Sequence, residues 1–295
     1  MSDSRDRLPA ATLFGRSVLT VSDESAVAEF YRDVIGLSVL SRDGSTTVLG
    51  AGDAPLLELR HAPDARPRPT DAAGLFHNAF LVPSREALGD GLARIRDRWS
   101  LTGASDHGVS EALYLDDPEG NGVELYRDRP RSEWPRDGEG GIQIGSWPLD
   151  LESVAAAADD TAGDTVPDGT TLGHVHLEVS SLETAREFYV DALGFDVKTA
   201  SPKALFVAAG DYHHHLGCNT WNGRSSPAPP DARGLSRFDL VVPSSEDLNR
   251  IRDRLEDAGA AVDERAGGLE CTDPDGIRIR FRAQSGSGSS SSDGE

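Results

Sequence analysis

Gly173-His174-Val175-His176-Leu177-Glu178-Val179 is the stretch from which the rest of the chain can be ordered. Apolar residues at 175, 177 and 179 alternate with polar ones at 174, 176 and 178, the period of a strand with one face in a core. A helix follows. Ser181 is placed to cap it, and Ala185, Phe188, Tyr189, Ala192 and Leu193 fall on one face at three- and four-residue spacing. Gly194 ends it, because glycine accepts the left-handed conformation of a helix terminus. Short strand-like segments complete a strand-helix-three-strand (βαβββ) unit.

That unit recurs. Val21, Glu29-Phe30-Tyr31, Asp33, Gly36 and Ala51-Gly52-Asp53 return at a constant offset of 158 as Val179, Glu187-Phe188-Tyr189, Asp191, Gly194 and Ala209-Gly210-Asp211. Gly74-Leu75, Val82-Pro83-Ser84 and Leu88 return at an offset of 160 as Gly234-Leu235, Val242-Pro243-Ser244 and Leu248. Asp117-Pro118-x-Gly120 returns as Asp273-Pro274-x-Gly276. Self-similarity at fixed offsets means duplicated structure. Four units are expected, at about 13–62, 73–128, 172–222 and 235–283. The expected division is an N-terminal pair of modules (13–128), a Pro- and Gly-rich acidic linker (129–171), a C-terminal pair (172–283) and a Gly/Ser/Asp tail (284–295). The linker is given one short helix, within Leu149–Ala158, and the tail is expected to be disordered.

Composition narrows the function classes. The 295 residues carry 50 Asp plus Glu against 29 Lys plus Arg, a formal charge of −21, and only Lys198 and Lys203 are lysine. Such a surface repels nucleic acid and anionic membranes, so neither is expected as a partner. Its self-repulsion would be screened where the Debye length falls to roughly 3 Å, near 1 M salt. This points to a halophilic setting, with an ordinary acidic enzyme as the plainer alternative. Cys218 and Cys271 are too few for a disulfide framework and sit in apolar contexts, as expected of reduced thiols in a cytoplasm. The first residues lack a signal-peptide pattern, and no apolar run reaches the ~20 residues of a membrane span, so a cytoplasmic location is expected.

Paired βαβββ units, with a histidine early in a first strand and a glutamate after Asp117-Pro118-x-Gly120-Asn121-Gly122, resemble the vicinal oxygen chelate superfamily. The runs Asp106-His107-Gly108-Val109-Ser110-Glu111-Ala112-Leu113-Tyr114-Leu115 and Gly210-Asp211-Tyr212-His213-His214-His215-Leu216-Gly217 are similar to the catechol-2,3-dioxygenase branch, the type I extradiol ring-cleaving enzymes. The resemblance covers about 13–283 and implies an α+β fold whose four modules form two cups. It also implies Fe(II), with Mn(II) left open by the ligand types, and a small aromatic diol and O2 as substrates.

Register places the expected ligands. His174 stands five residues before Val179, and His77 five before Val82, so equivalent strand positions aim both imidazoles into one cup if the second and third units pair. Glu124 follows from the family's place for its carboxylate. Two histidines and one carboxylate leave open positions on an octahedral ion, as in non-haem Fe(II) oxygenases. His176 faces the same way as His174 and is the rival ligand. His214 resembles the family's acid-base histidine, Tyr114 its substrate-binding tyrosine, and His107 the histidine of the preceding loop. Tyr212, Asn219 and Trp221 are candidates for the pocket wall, with a purely structural role the stronger reading for each.

By the same offsets the counterparts of His174, His77 and Glu124 are Arg16, Arg237 and Arg280. Arginine has no lone pair for a metal, so units one and four hold no equivalent centre. Their arginines either bind an anion or neutralise carboxylates. Other functions on the same scaffold are a glyoxalase-type isomerase and a metal-free binding or resistance protein. The substrate diol is not fixed by these residues, and a homo-oligomer is compatible with them.

Overall fold

The computed structural model describes residues 7–159, 163–265 and 267–284. The first module comprises β1 (Leu13–Val21), α1 (Glu24–Phe30), β2 (Ser38–Asp43), β3 (Thr46–Ala51) and β4 (Ala54–His61). The second comprises β5 (Gly74–Leu81), α2 (Arg85–Arg98), β6 (Gly103–Asp106), β7 (Ser110–Asp116) and β8 (Gly122–Asp128). A connection carrying the short α3 (Leu151–Ala155) leads to the third: β9 (Thr171–Glu178), α4 (Leu182–Arg186), β10 (Asp196–Ser201), β11 (Ala204–Ala208) and β12 (Leu216–Asn219). The fourth is β13 (Gly234–Val242), α5 (Ser245–Asp257), β14 (Val262–Arg265), β15 (Gly268–Thr272) and β16 (Arg278–Ala283). The residues expected to form a tail lie, from 285 on, outside those described.

The modules do not pair in chain order. One eight-stranded curled sheet runs β10-β11-β12-β9-β5-β8-β7-β6, joining modules two and three. The other runs β14-β15-β16-β13-β1-β4-β3-β2, joining modules four and one. In each, two first strands meet antiparallel at the centre, β5 with β9 and β1 with β13. Helices cover the outer faces over one continuous apolar core.

Local sequence explains the elements. Ser181 accepts a hydrogen bond from the Thr184 N–H, and Ala185, Phe188, Tyr189, Ala192 and Leu193 are all buried. Beyond α4 the helix widens into a π-type turn over Glu187–Ala192, and the same happens after α1 over Tyr31–Ile35. The buried residues keep three- and four-residue spacing through the widening, so hydrophobic spacing does not announce it.

The repeated Asp-Pro-x-Gly proves to be a turn fastener. Asp117 Oδ1 accepts the N–H groups of Glu119 and Asn121 at 2.8 and 2.9 Å. Asp273 likewise accepts those of Asp275 and Ile277, and the Tyr189 hydroxyl at 2.7 Å. Burial raises both carboxyls to about 6, against these hydrogen bonds. Both cysteines are free and buried, and burial pushes the Cys271 thiol up to about 12. Among the described residues no helix is long and apolar enough to cross a membrane.

Gly122 opens β8 where it runs beside β5, and a β-carbon there would collide with the Phe76 carbonyl oxygen. Backbone cannot yield as a flexible side chain does. Gly122→Ala is therefore expected to lower the unfolding free energy by roughly 3 kcal/mol in a urea titration. An unchanged midpoint would show that β8 does not approach β5 so closely.

Candidate metal centre and active site

The β5–β9 register sets His77 opposite His176 and Ala79 opposite His174. Parallel pairing of β8 with β5 sets Glu124 beside Ala79, and β7 sets Tyr114 beside Glu124. Paired residues project to the same side of a sheet, so these five side chains share one face with Ala79 at their centre. Ala79 is wholly buried, and its small side chain leaves the space over which the larger ones converge. On β12, a β-carbon at Gly217 would lie 2.9 Å from the His176 ring, so glycine makes room for that imidazole.

Glu124 Oε2 lies 2.9 Å from His77 Nε2 and 3.1 Å from His174 Nε2. One ligand atom from each of the three residues falls within 4.8 Å of the others, and all three residues are buried. Among the described residues, no other three such groups are brought this close. Burial pushes the Glu124 carboxyl up, but the adjacent His174 and His77 hold it well below the usual carboxylate range. Burial takes His174 down to about 4 despite Glu124 beside it. At neutral pH the cluster is thus an anionic carboxylate with a neutral imidazole at His174. His77 Nε2 is buried without a well-aligned hydrogen bond, a lone pair left unused. That donor set fits a divalent transition ion.

His176 is not in that group. Asn219 Oδ1 accepts the Trp221 N–H at 3.0 Å, which leaves its Nδ2 to donate to His176 Nε2 at 3.1 Å. The nitrogen that would ligate is occupied.

Above the cluster opens a cavity of about 670 Å³, within the range of small-molecule sites. Phe76, Phe206 and Trp221 give it apolar walls, and the connection between the halves contributes Ile144, Gly145 and Ser146. His107 Nδ1 donates to the Gly145 carbonyl at 2.6 Å, and its Nε2 lies 2.6 Å from the Tyr114 hydroxyl. When His107 is neutral, that nitrogen accepts and Tyr114 donates. Burial, followed by Glu124, raises Tyr114 well above the usual tyrosine value, so it keeps its proton.

His214 lines the cavity, its ring centroid 4.2 Å from that of His174 and the two rings tilted at 51°. Its Nδ1 meets His213 Nδ1 at 2.7 Å, and His213 Nε2 meets Asp128 Oδ1 at 2.9 Å. If His213 donates to Asp128 while neutral, it must accept from His214, which leaves His214 Nε2 as a base. Burial and the surrounding histidines push His214 well below 6.5. Tyr212 lies apart from the cavity, bonded to the Tyr126 hydroxyl at 2.8 Å.

The sequence profile of the Glyoxalase/Bleomycin resistance protein/Dioxygenase superfamily matches residues 13–125 and 171–281. The chain belongs to this superfamily. It is 41% identical over 276 residues to a catechol-2,3-dioxygenase of Bacillus subtilis (strain 168), covering 92% of this chain and 97% of that protein. Superfamily folds agree at lower identity. A crystal structure from B. subtilis subsp. subtilis strain 168, provisionally described as a dioxygenase, matches with a TM-score of 0.68 at 13% identity, over 94% of this chain and 86% of that one. Glyoxalase I from Zea mays matches with a TM-score of 0.58 at 16% identity, over 92% of each.

Sequence reasoning passed over Asp128, His213 as its partner, and the cavity-lining part of the connection. Asp128 had a signal, standing four residues after Glu124 on the same strand face. Ile144–Ser146 had none, because no periodicity governs them.

The histidine run also predicts an acid limit to stability. Burial, with His213 and His174, pushes His215 down to about 3, while its Nδ1 accepts the Ala209 N–H at 3.1 Å. The unfolded chain takes up this proton below about 6.5 and the folded one only near 3, so stability falls as pH drops between them. His215→Gln removes one titrating group. The slope of unfolding free energy against pH, measured from about 5.5 to 4, should become shallower by about 1.4 kcal/mol per pH unit. An identical slope would contradict the buried, neutral His215.

Proposed function

We propose that the chain is an extradiol ring-cleaving dioxygenase, an oxidoreductase that inserts O2 beside the diol of a catechol-type ring. The metal is Fe(II), with Mn(II) the alternative, held by His77, Glu124 and His174 between modules two and three. The observation that carries this reading is the meeting of three buried donor atoms within 4.8 Å beneath a cavity, in a chain 41% identical over 92% of its length to a catechol-2,3-dioxygenase.

A bound Fe(II) ion supplies open coordination positions for a diol and the electron-transfer chemistry that O2 requires. The chain's own residues supply the rest. Phe76, Phe206 and Trp221 hold an aromatic ring by apolar contact and keep water from it. Tyr114, with its proton directed to His107, presents an oxygen lone pair that accepts from a substrate hydroxyl. His214 Nε2 takes a proton from the diol side and returns it when the ring opens, with Asp128 and His213 stabilising the imidazolium between these steps. His107 fixes Tyr114, and Gly145 fixes His107. His176 lines the cavity, its ring held by Asn219.

Protein purified without oxygen and loaded with Fe(II) should consume O2 and form a yellow ring-fission product when given catechols in air. His214→Gln should lower kcat about 10²- to 10⁴-fold with a smaller change in KM. Tyr114→Phe should act mainly on KM. Iron-loaded protein that consumes no O2 with any catechol offered would overturn the assignment.

A further inference from the structure

Glu178 ends β9 and is almost wholly buried, yet neither the metal cluster nor the chemistry above uses it. It follows His174 and His176 at alternate positions, so its side chain lies on their face of the sheet. Pairing sets it opposite Gly74 on β5 and beside Asn219 on β12. A β-carbon at Gly74 would stand 2.7 Å from Arg68 Nη1, so glycine there makes room for that guanidinium group.

Three side chains converge on the carboxylate, all from the connections that follow β4 and β12. Arg68 Nη2 donates to Glu178 Oε2 at 2.6 Å and to the Leu75 carbonyl at 3.0 Å. Arg224 Nη2 meets the same carboxylate oxygen at 2.9 Å, while its Nη1 donates to the Thr70 carbonyl. Asn222 Nδ2 donates to Oε1 at 2.6 Å. Burial pushes the Glu178 carboxyl up, but Asn222, Arg224 and Arg68 together hold it below its ordinary value. The two connections are also joined by backbone bridges, Arg66 with Ala232 and Ala72 with Ser226. What the buried carboxylate adds is a fixed position for residues 222–224.

Trp221 sits inside this frame. Its N–H is held by Asn219 on one side, and Asn222 and Arg224 are tied to Glu178 on the other. Its indole is 46% exposed and lines the cavity, with the ring centroid 5.3 Å from those of Phe76 and His176. An aromatic wall fixed before a ligand arrives costs less ordering when the ligand binds.

We propose that Glu178 is a positioning residue for substrate: through Asn222, Arg224 and Arg68 it fixes Trp221 at the rim of the cavity, where the indole is the apolar surface against which the ring of an aromatic diol packs. The inference rests on the dioxygenase reading of the same cavity. Such a contact is made in the ground state and the transition state alike, so its loss raises KM and spares kcat.

Anaerobic titration calorimetry of Fe(II)-loaded protein with catechol, alongside O2 consumption in air, tests the inference. Trp221→Ala should weaken catechol binding about tenfold, the scale of one aromatic contact. Glu178→Gln should weaken it by a similar factor and keep its iron, with KM rising and kcat falling no more than about threefold. Because both act through one contact, the double variant should bind about as weakly as Trp221→Ala alone, not roughly a hundredfold more weakly than wild type. Asn222→Ala completes the same cycle should circular dichroism show Glu178→Gln unfolded. Wild-type affinity in the clamp variant, or losses that multiply in the double variant, would overturn the inference. Catechol bound in the expected pattern without O2 consumption would overturn the proposed reaction and leave the clamp standing, and wild type that binds no catechol would overturn both.

Discussion

Antiparallel pairing of β5 with β9 is the constraint on which the site depends. Its register sets His77 against His176 and His174 against Ala79, while β8 brings Glu124 to the other flank of Ala79. A slip of one residue in either strand would send its histidines to the opposite face, into the apolar core. Such a slip is resisted because Leu75, Phe80, Val175 and Leu177 would leave that core together. Packing energy spread over both modules thus fixes the position of three polar atoms.

Burial then sets their chemistry. Burial keeps His174 neutral, while the adjacent His174 and His77 keep Glu124 ionised against the effect of its own burial, and a buried anion flanked by imidazole nitrogens is a donor set that suits a cation. Behind this cluster, Asp128, His213 and His214 form a second polar chain, and Gly145, His107 and Tyr114 a third. When His213 and His107 are neutral, each chain sets which nitrogen of a cavity-facing histidine carries the proton. The connection between the chain halves takes part directly, through the carbonyl of Gly145.

Much of the architecture was legible because duplication printed it twice. Constant offsets marked four modules, and the cap at Ser181 and the apolar face through Leu193 appear as spacing implies. The cluster was legible for the same reason: His77 and His174 occupy matching places, and arginines stand at the corresponding positions of the other modules. What escaped depended on contacts distant in sequence. Asp128 acquires its role from His213, 85 residues away, and Gly145 from His107, 38 residues away. Tyr212, for which a structural role is the stronger of two readings, lies apart from the cavity with its hydroxyl bonded to that of Tyr126. Asp117 and Asp273 looked like family signposts and serve as turn fasteners, a role that only backbone geometry reveals.

The two sheets share one plan and differ in the charge lining their open faces, lone-pair donors in one and guanidinium groups in the other. Diffraction from anaerobically iron-loaded crystals, recorded on both sides of the iron absorption edge, tests the central claim most directly. The account predicts one anomalous peak within bonding distance of His77 Nε2, His174 Nε2 and a Glu124 carboxylate oxygen, and none beside Arg16, Arg237 and Arg280. A peak bound instead through His176, or iron-loaded protein with no peak at the three donors, would contradict it.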